Sequence, residues 1–232
     1  VTIGGSYQFS ERTKATFETA ITNSDLNTFS AKDDNDNIGV AYKVGFQNVQ
    51  KLNNASPNSW KLLSSVTYEQ VEKRFEPIER FRKVEFERNW NLDSKSENDH
   101  EYIPGIGLKL FQEDIGFIRY KFNSFIKGEQ TIGLKNNATI NLRKNGWAVD
   151  FNGSLLKTKT AESSSTFIRS KGHFSKQFKG VIFGVSEEQE NNSFIDLASD
   201  SLLDASYSFY AWTVFVKSPD TSKNKMGINY GQ

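Results

Sequence analysis

Apolar and polar residues alternate along most of this chain, and this period of two constrains its fold more than any other feature. In the stretch FRKVEFERNWNL, residues 81–92, Val84, Phe86, Trp90 and Leu92 fall on even positions, with charged or amide side chains on the odd positions from 83 to 91. Successive side chains of a β-strand point to opposite faces of a sheet. The pattern therefore predicts a strand over residues 81–92 with one apolar and one polar face.

The same alternation returns between short polar turns. Turns such as SERT (residues 10–13) and KNG (residues 144–146) are too short for the crossover that joins parallel strands, so they predict antiparallel pairing. We predict about 11 to 13 strands in a single β domain over residues 1–232. Residues 193–206 are predicted to form a loop or one short helix. The further predicted strands include residues 7–9, 15–21, 40–46, 60–68, 106–110, 118–122, 132–134, 140–142, 147–155, 167–169, 181–185 and 210–216.

Two architectures would cover the apolar face of such a meander. Lipid covers it in an outer-membrane β-barrel or barrel segment, whereas a second sheet covers it in a soluble β-sandwich, and a curved sheet is a related alternative. Strands of roughly 9 to 12 residues exceed the usual length in globular proteins and favour the barrel. Arg88 interrupts the apolar positions of residues 81–92 and would have to lie at the membrane interface.

Composition excludes several classes of protein. A net charge of +1 does not suit a general nucleic-acid binder, which needs a concentrated basic surface. The absence of cysteine excludes disulfides and thiol chemistry. A hydrophobic fraction of 36% combined with 19 Phe, 8 Tyr and 4 Trp suits sheets with one wet face. Because the chain starts at Val1 and ends in the strand-like MGINYGQ, we expect it to be a fragment of a longer protein.

The residues that could carry chemistry are scattered. The acidic loop Asp33–Asn37 has oxygen ligands but lacks the Gly and Glu of a calcium loop, so we interpret it as a solvated turn. His100 and His173 lack partners at metal-binding spacing. On a strand, Glu85 and Glu87 would share a face about 7 Å apart, which a glycosidase could use. We expect ion pairing there instead, and predict no enzyme activity and no cofactor or metal.

The tryptophans are the candidate contact residues. Trp60, Trp90 and Trp147 lie near predicted strand ends, and Trp212 lies within a predicted strand. Aromatic girdles flank the apolar band of outer-membrane barrels. We therefore predict that these four side chains lie at a membrane interface or contribute to a binding surface.

The segment EPIERFRKVEFERNWNL, residues 76–92, together with the hairpin GSYQFSERTKATFETAI, resembles large β-rich envelope proteins of Bacteroidetes-type bacteria. That family includes outer-membrane barrel and translocon-associated proteins. The resemblance implies an outer-membrane or periplasmic location, with membrane lipid and other envelope proteins as partners, and carries over no functional residues. We predict a noncatalytic scaffold or pore component; the alternative is a secreted β-sandwich that binds glycan or peptide through surface aromatics.

Overall fold

A computed structural model of the chain describes residues 1–25, 37–53, 56, 58–79, 81–92, 98–219 and 225–232. These residues form one antiparallel sheet of thirteen strands and one short helix. Of the Asp33–Asn37 loop considered above for calcium, only Asn37 belongs to the described part of the chain. The elements are β1 (Thr2–Ser10), β2 (Thr13–Asn23), β3 (Ile38–Lys51), β4 (Lys61–Val71), α1 (Phe86–Trp90), β5 (Glu101–Gln112), β6 (Gly116–Lys127), β7 (Thr131–Lys144), β8 (Trp147–Lys159), β9 (Ser163–Phe178), β10 (Val181–Asp196), β11 (Ser201–Leu202), β12 (Tyr207–Lys217) and β13 (Gly227–Gly231).

The strands follow one another through the sheet in chain order. Each pairs antiparallel with the next, except that the two-residue β11 pairs only with β10, and the path continues from β10 to β12. The prediction of an all-β antiparallel meander is confirmed. Because the described residues form a single sheet, the predicted alternative of a β-sandwich is wrong.

The sheet is open at both sides. Among the described strands, β1 pairs with β2 alone and β13 with β12 alone, so the sheet is not closed into a barrel. The outer backbone groups of these two strands therefore form exposed edges, which in most proteins are covered or paired.

Cross-strand register gives the sheet an apolar face and a polar face. On β8, Val149, Phe151 and Leu155 share one face, and Asp150 and Asn152 share the other. The apolar face continues onto β7, because Val149 is paired with Leu142 and Phe151 with Ile140.

The stretch Phe81–Leu92 is not a strand, and that prediction is wrong. Residues 86–90 form helix α1, which ends at Asn91 in the left-handed conformation with φ 49°. Phe86 and Trp90 are four residues apart, a spacing that places them on one face of a helix as well as of a strand. Glu85 and Glu87 therefore do not share a strand face, and the Glu85 carboxylate instead lies 3.3 Å from the Arg88 guanidinium.

Residues 193–206 also differ from their prediction of a loop or short helix. The long strand β10 continues as far as Asp196, and Ser201–Leu202 returns to pair with it as β11. Asp196 stabilises the turn between them, because its Oδ1 accepts hydrogen bonds from the backbone amides of Ala198 and Ser199.

The packed core of the sheet is small and lies on the polar face. Trp90 from α1 packs with Phe125, Leu156 and Phe167 from β6, β8 and β9. The last two are 1% exposed, and Phe125 is fully buried. Burial of apolar surface is the main driving force for folding, so this cluster anchors α1 on the sheet.

Leu156 and its neighbour Leu155 test this assignment, because they are adjacent leucines on opposite faces of β8. We expect Leu156→Ala to lower the free energy of unfolding by about 2–5 kcal/mol, since it leaves a cavity in the core cluster. Leu155→Ala, the matched control, should cost distinctly less. Denaturant unfolding of both variants in one detergent measures the difference, and equal losses would contradict the placement.

Candidate functional site

The apolar face is exposed over most of the sheet, although the middle of β10 presents Glu187, Gln189 and Asn191 on it. Monomeric soluble proteins rarely leave contiguous apolar patches larger than a few hundred Å² in contact with water. Here every strand from β2 to β10, and β12, exposes at least one large apolar side chain on this face. One example from each, in chain order, is Phe17, Phe46, Val66, Ile106, Ile118, Leu134, Trp147, Phe174, Val185 and Val214.

The height of the apolar band is set by the strands in the middle of the sheet. On β6 the outward positions run from Ile118 through Tyr120 and Phe122 to Ile126, and only Ser124 interrupts the hydrophobic series. The eight steps of extended chain from residue 118 to residue 126 span about 27 Å. That length is close to the ~25 Å apolar band of outer-membrane strands.

Aromatic side chains cluster where the β7–β8 and β9–β10 turns lie. The Trp147 and Phe174 rings are 5.2 Å apart, and the Phe178 and Phe183 rings are 5.8 Å apart. Lys176 lies among them with its Nζ 4.6 Å from the Trp147 ring, and it donates a hydrogen bond of 2.7 Å to the Asn145 carbonyl in the turn. A lysine that covers an aromatic ring while its ammonium reaches a polar turn is typical of an interface between apolar and aqueous surroundings.

Tyrosines occupy the apolar face near the opposite end of β3 and β4. The Tyr42 and Tyr68 rings are 6.0 Å apart, and both hydroxyls donate to Oε1 of Gln70, at 2.6 and 3.0 Å. Each ring thus has an apolar body and a satisfied polar tip, which suits a boundary position.

On the polar face, residues 72–79 and 81–92 cross the sheet from β3 to β10; we call them the crossing segment. Arg82 holds its first half, because its guanidinium pairs with Glu69 of β4 and, at 2.8 Å, with Glu101 of β5. All three side chains are largely buried, and the guanidinium directs one terminal nitrogen to each carboxylate. The face of the Arg82 guanidinium lies 4.4 Å from the Phe86 ring.

Hydrogen bonds hold the second half of the crossing segment around Trp90. The Thr158 hydroxyl donates to the Trp90 carbonyl at 2.8 Å, and Lys135 Nζ donates to the Asn89 carbonyl at 2.9 Å. The Arg169 guanidinium donates to Oδ1 of Asn89 at 2.9 Å.

Asn91 completes this attachment by reaching β9 and β10. Its amide nitrogen donates to Oδ1 of Asn192 at 2.8 Å and to the Ser165 hydroxyl at 3.0 Å. Both partners are nearly buried, so these hydrogen bonds replace solvent that the segment excludes.

Two glycines of the sheet make room for the crossing segment. A Cβ atom at Gly133 would lie 2.9 Å from Cε3 of Trp90, and one at Gly39 would lie 2.1 Å from the Arg74 carbonyl oxygen. Any larger residue at Gly39 would collide with backbone, which cannot move aside easily. The glycines on β3 and β7 thus determine where the segment contacts the polar face.

Two charged side chains outside the strands have shifted pKa values. The pKa of Glu113, in the β5–β6 turn, is lowered by a hydrogen bond from Lys61 and by its positive charge. The pKa of Arg88, in α1, is raised by hydrogen bonds to Tyr207 and Glu85 and by the charge of Glu190. Both shifts favour the charged forms that make these contacts.

The structure does not bring together the candidate catalytic or metal-binding residues. His173 stacks on Phe215 with ring centroids 5.1 Å apart, whereas His100 stacks on Tyr102 at a different end of the sheet. Within the described residues no group of three His, Asp or Glu side chains is arranged to hold a metal ion. The same residues include no helix long and apolar enough to span a membrane.

The four tryptophans occupy different environments. Trp147 is exposed in the aromatic cluster, and Trp212 makes an edge-to-face contact with Tyr230 on the same apolar face. Trp60 precedes β4, and its carbonyl accepts a hydrogen bond from the Leu52 amide. Trp90 is buried on the polar face, so the predicted interface role is wrong for this residue. Its burial depends on the crossing segment, which periodicity alone could not reveal.

Comparisons of the chain with protein-family models, with curated proteins and with solved structures found no match. The function of the chain is therefore inferred from the two faces of the sheet and from the crossing segment.

Trp90 should determine whether the crossing segment stays attached. We expect Trp90→Ala to weaken the packing of the crossing segment on the sheet by about 3–5 kcal/mol, as for other buried aromatics. The variant should therefore be cleaved faster by trypsin after Arg82 or Lys83. Trp147→Ala, which removes an indole from the apolar face, is the control and should leave cleavage unchanged. Equal cleavage rates in both variants would show that Trp90 does not hold the segment.

Proposed function

We propose that this chain is a noncatalytic β scaffold of a bacterial outer membrane, a barrel segment or pore component whose apolar face contacts lipid. The observation that carries the proposal is the exposure of large apolar side chains on nearly every strand, most of them on one face. The height of the apolar band and the aromatic residues at its boundaries support the proposal.

The hydrogen bonding of the backbone agrees with this location. In a bilayer every backbone amide and carbonyl needs a partner, and strands within a sheet supply one another with such partners. Strands β2 to β10 are paired on both sides over most of their length, and β12 pairs with β10 along its length and with β13 over Thr213–Lys217. The open edges of β1 and β13 would need neighbouring polypeptide, so the proposal includes an assembly with other envelope proteins.

The polar face fits the water-filled side of such a scaffold. It bears charged residues on most strands, among them Lys43, Glu69, Lys121, Lys171 and Glu188. The crossing segment covers part of this face, as a loop folded into the interior of a barrel does. The same segment includes one of the two stretches that resemble envelope proteins of Bacteroidetes-type bacteria.

The alternative, a secreted protein that binds glycan or peptide through its aromatics, has weaker support. It requires a second element to cover the apolar face, since that face extends far beyond the aromatic cluster around Trp147. The described residues contain no such element.

An arginine on each face of β3 tests the proposal. Phe46 is 48% exposed on the apolar face, and Gln47, the next residue, is exposed on the polar face. An arginine facing the bilayer midplane costs about 2–4 kcal/mol, and one facing water costs little. We expect Phe46→Arg to reduce the amount of protein in outer membranes, with Gln47→Arg retained like the unaltered chain.

The readout is extraction of outer membranes with alkaline carbonate. The unaltered chain and Gln47→Arg should remain in the membrane pellet until detergent is added. Release of the unaltered chain by carbonate alone would contradict a lipid-facing role for the apolar face.

A further inference from the structure

Strands β5 and β6 place cations side by side on the polar face. Lys109 and Arg119 are direct cross-strand partners, and Lys121 lies two residues further along the same face of β6. Side chains of directly opposed residues start about 4.5–5.5 Å apart at Cβ, and like charges in that position repel. We call Lys109, Arg119 and Lys121 the basic patch.

The basic patch is not neutralised by the sheet around it. Within the described part of the chain, no carboxylate lies within ion-pair distance of these three residues. The nearby Lys61, by contrast, pairs with Glu113 at 2.6 Å. Instead, Lys109 Nζ lies 4.6 Å and the Arg119 guanidinium 5.5 Å from the Phe117 ring. An aromatic face orients a cation but leaves its net charge in place.

The neighbours of the basic patch are small or are neutral hydrogen-bonding groups. Thr139 and Asn137 of β7 lie directly opposite Arg119 and Lys121. On the other side, Gly107 of β5 is the partner of Lys121 and projects no side chain. A bound group above these residues would meet cationic and amide donors, while the Thr139 hydroxyl already donates to Oδ1 of Asn152 at 3.0 Å. The crossing segment makes its described contacts elsewhere on the face.

We propose that the basic patch binds an oxyanion, and specifically a phosphate group. A guanidinium and an ammonium opposite each other can share the oxygens of a doubly charged tetrahedral anion, the guanidinium through two parallel N–H donors. Binding would also relieve the repulsion between Lys109 and Arg119. This site lies on the polar face and does not depend on whether the apolar face contacts lipid.

The test is calorimetric titration of the full chain in nonionic detergent with inorganic phosphate at low, constant ionic strength. Arg119→Gln should weaken phosphate binding by at least about tenfold, since charged hydrogen bonds are lost. Lys171→Gln is the matched control: Lys171 lies on the same face but is paired with Glu188 at 2.9 Å, and its loss should leave phosphate affinity unchanged.

Thermal unfolding is the control for misfolding of the Arg119→Gln variant. Arg119→Gln should unfold at the same temperature as the unaltered chain or higher, because the variant loses a like-charge contact. Phosphate should raise the unfolding temperature of the unaltered chain but not of Arg119→Gln. Equal phosphate affinity in both proteins, or the same temperature increase with chloride at matched ionic strength, would overturn the proposal.

A second probe distinguishes the source of the phosphate group. Tighter binding of glycerol 3-phosphate than of inorganic phosphate would identify a phosphate ester, such as a headgroup or a phosphorylated solute, as the occupant. Tighter binding of inorganic phosphate would identify the free anion. Both outcomes support the site, and neither depends on the carbonate extraction that tests the membrane proposal.

Discussion

Cross-strand register is the constraint on which the rest of the structure depends. In antiparallel pairs each residue faces one partner, and a slip of a single position would move a whole strand's apolar set to the opposite face. The register keeps Ile118 beside Leu110 and Ile140, and in the same way keeps Lys109 beside Arg119. One constraint therefore produces both the apolar surface proposed to meet lipid and the basic patch proposed to bind phosphate.

The crossing segment supplies the buried apolar surface that the sheet alone does not have. A sheet with its apolar face exposed has little surface left to bury, and its core cluster forms only because Trp90 lies on the polar face against Phe125 and Leu156. The ion pairs of Arg82 and the hydrogen bonds of Asn91 then satisfy polar groups that this burial removes from water. Stability and the shape of the polar face are thus coupled through one segment.

The sequence predicts the sheet well because period two is a local property. It fails at residues 81–92, where Phe86 and Trp90 satisfy strand and helix spacing equally and only packing against β6 and β8 decides between them. The periodicity also divides β7 into two predicted strands, because Asn136 and the small Ala138 leave no large apolar side chain in the middle of that face. The basic patch could not be predicted, since Lys109 and Arg119 become partners only through the register of the β5–β6 hairpin. The sequence also does not distinguish the exposed Trp147 from the buried Trp90, because the burial of each depends on tertiary packing.

Spin labels placed one at a time along β8 test most directly whether lipid covers the apolar face. Labels at Val149, Phe151 and Leu155 should be accessible to oxygen, which concentrates in the bilayer, and shielded from a water-soluble nickel chelate. Labels at Asp150 and Asn152 should show the reverse in the same membranes. Access of the nickel chelate to both sets, without alternation, would contradict the account.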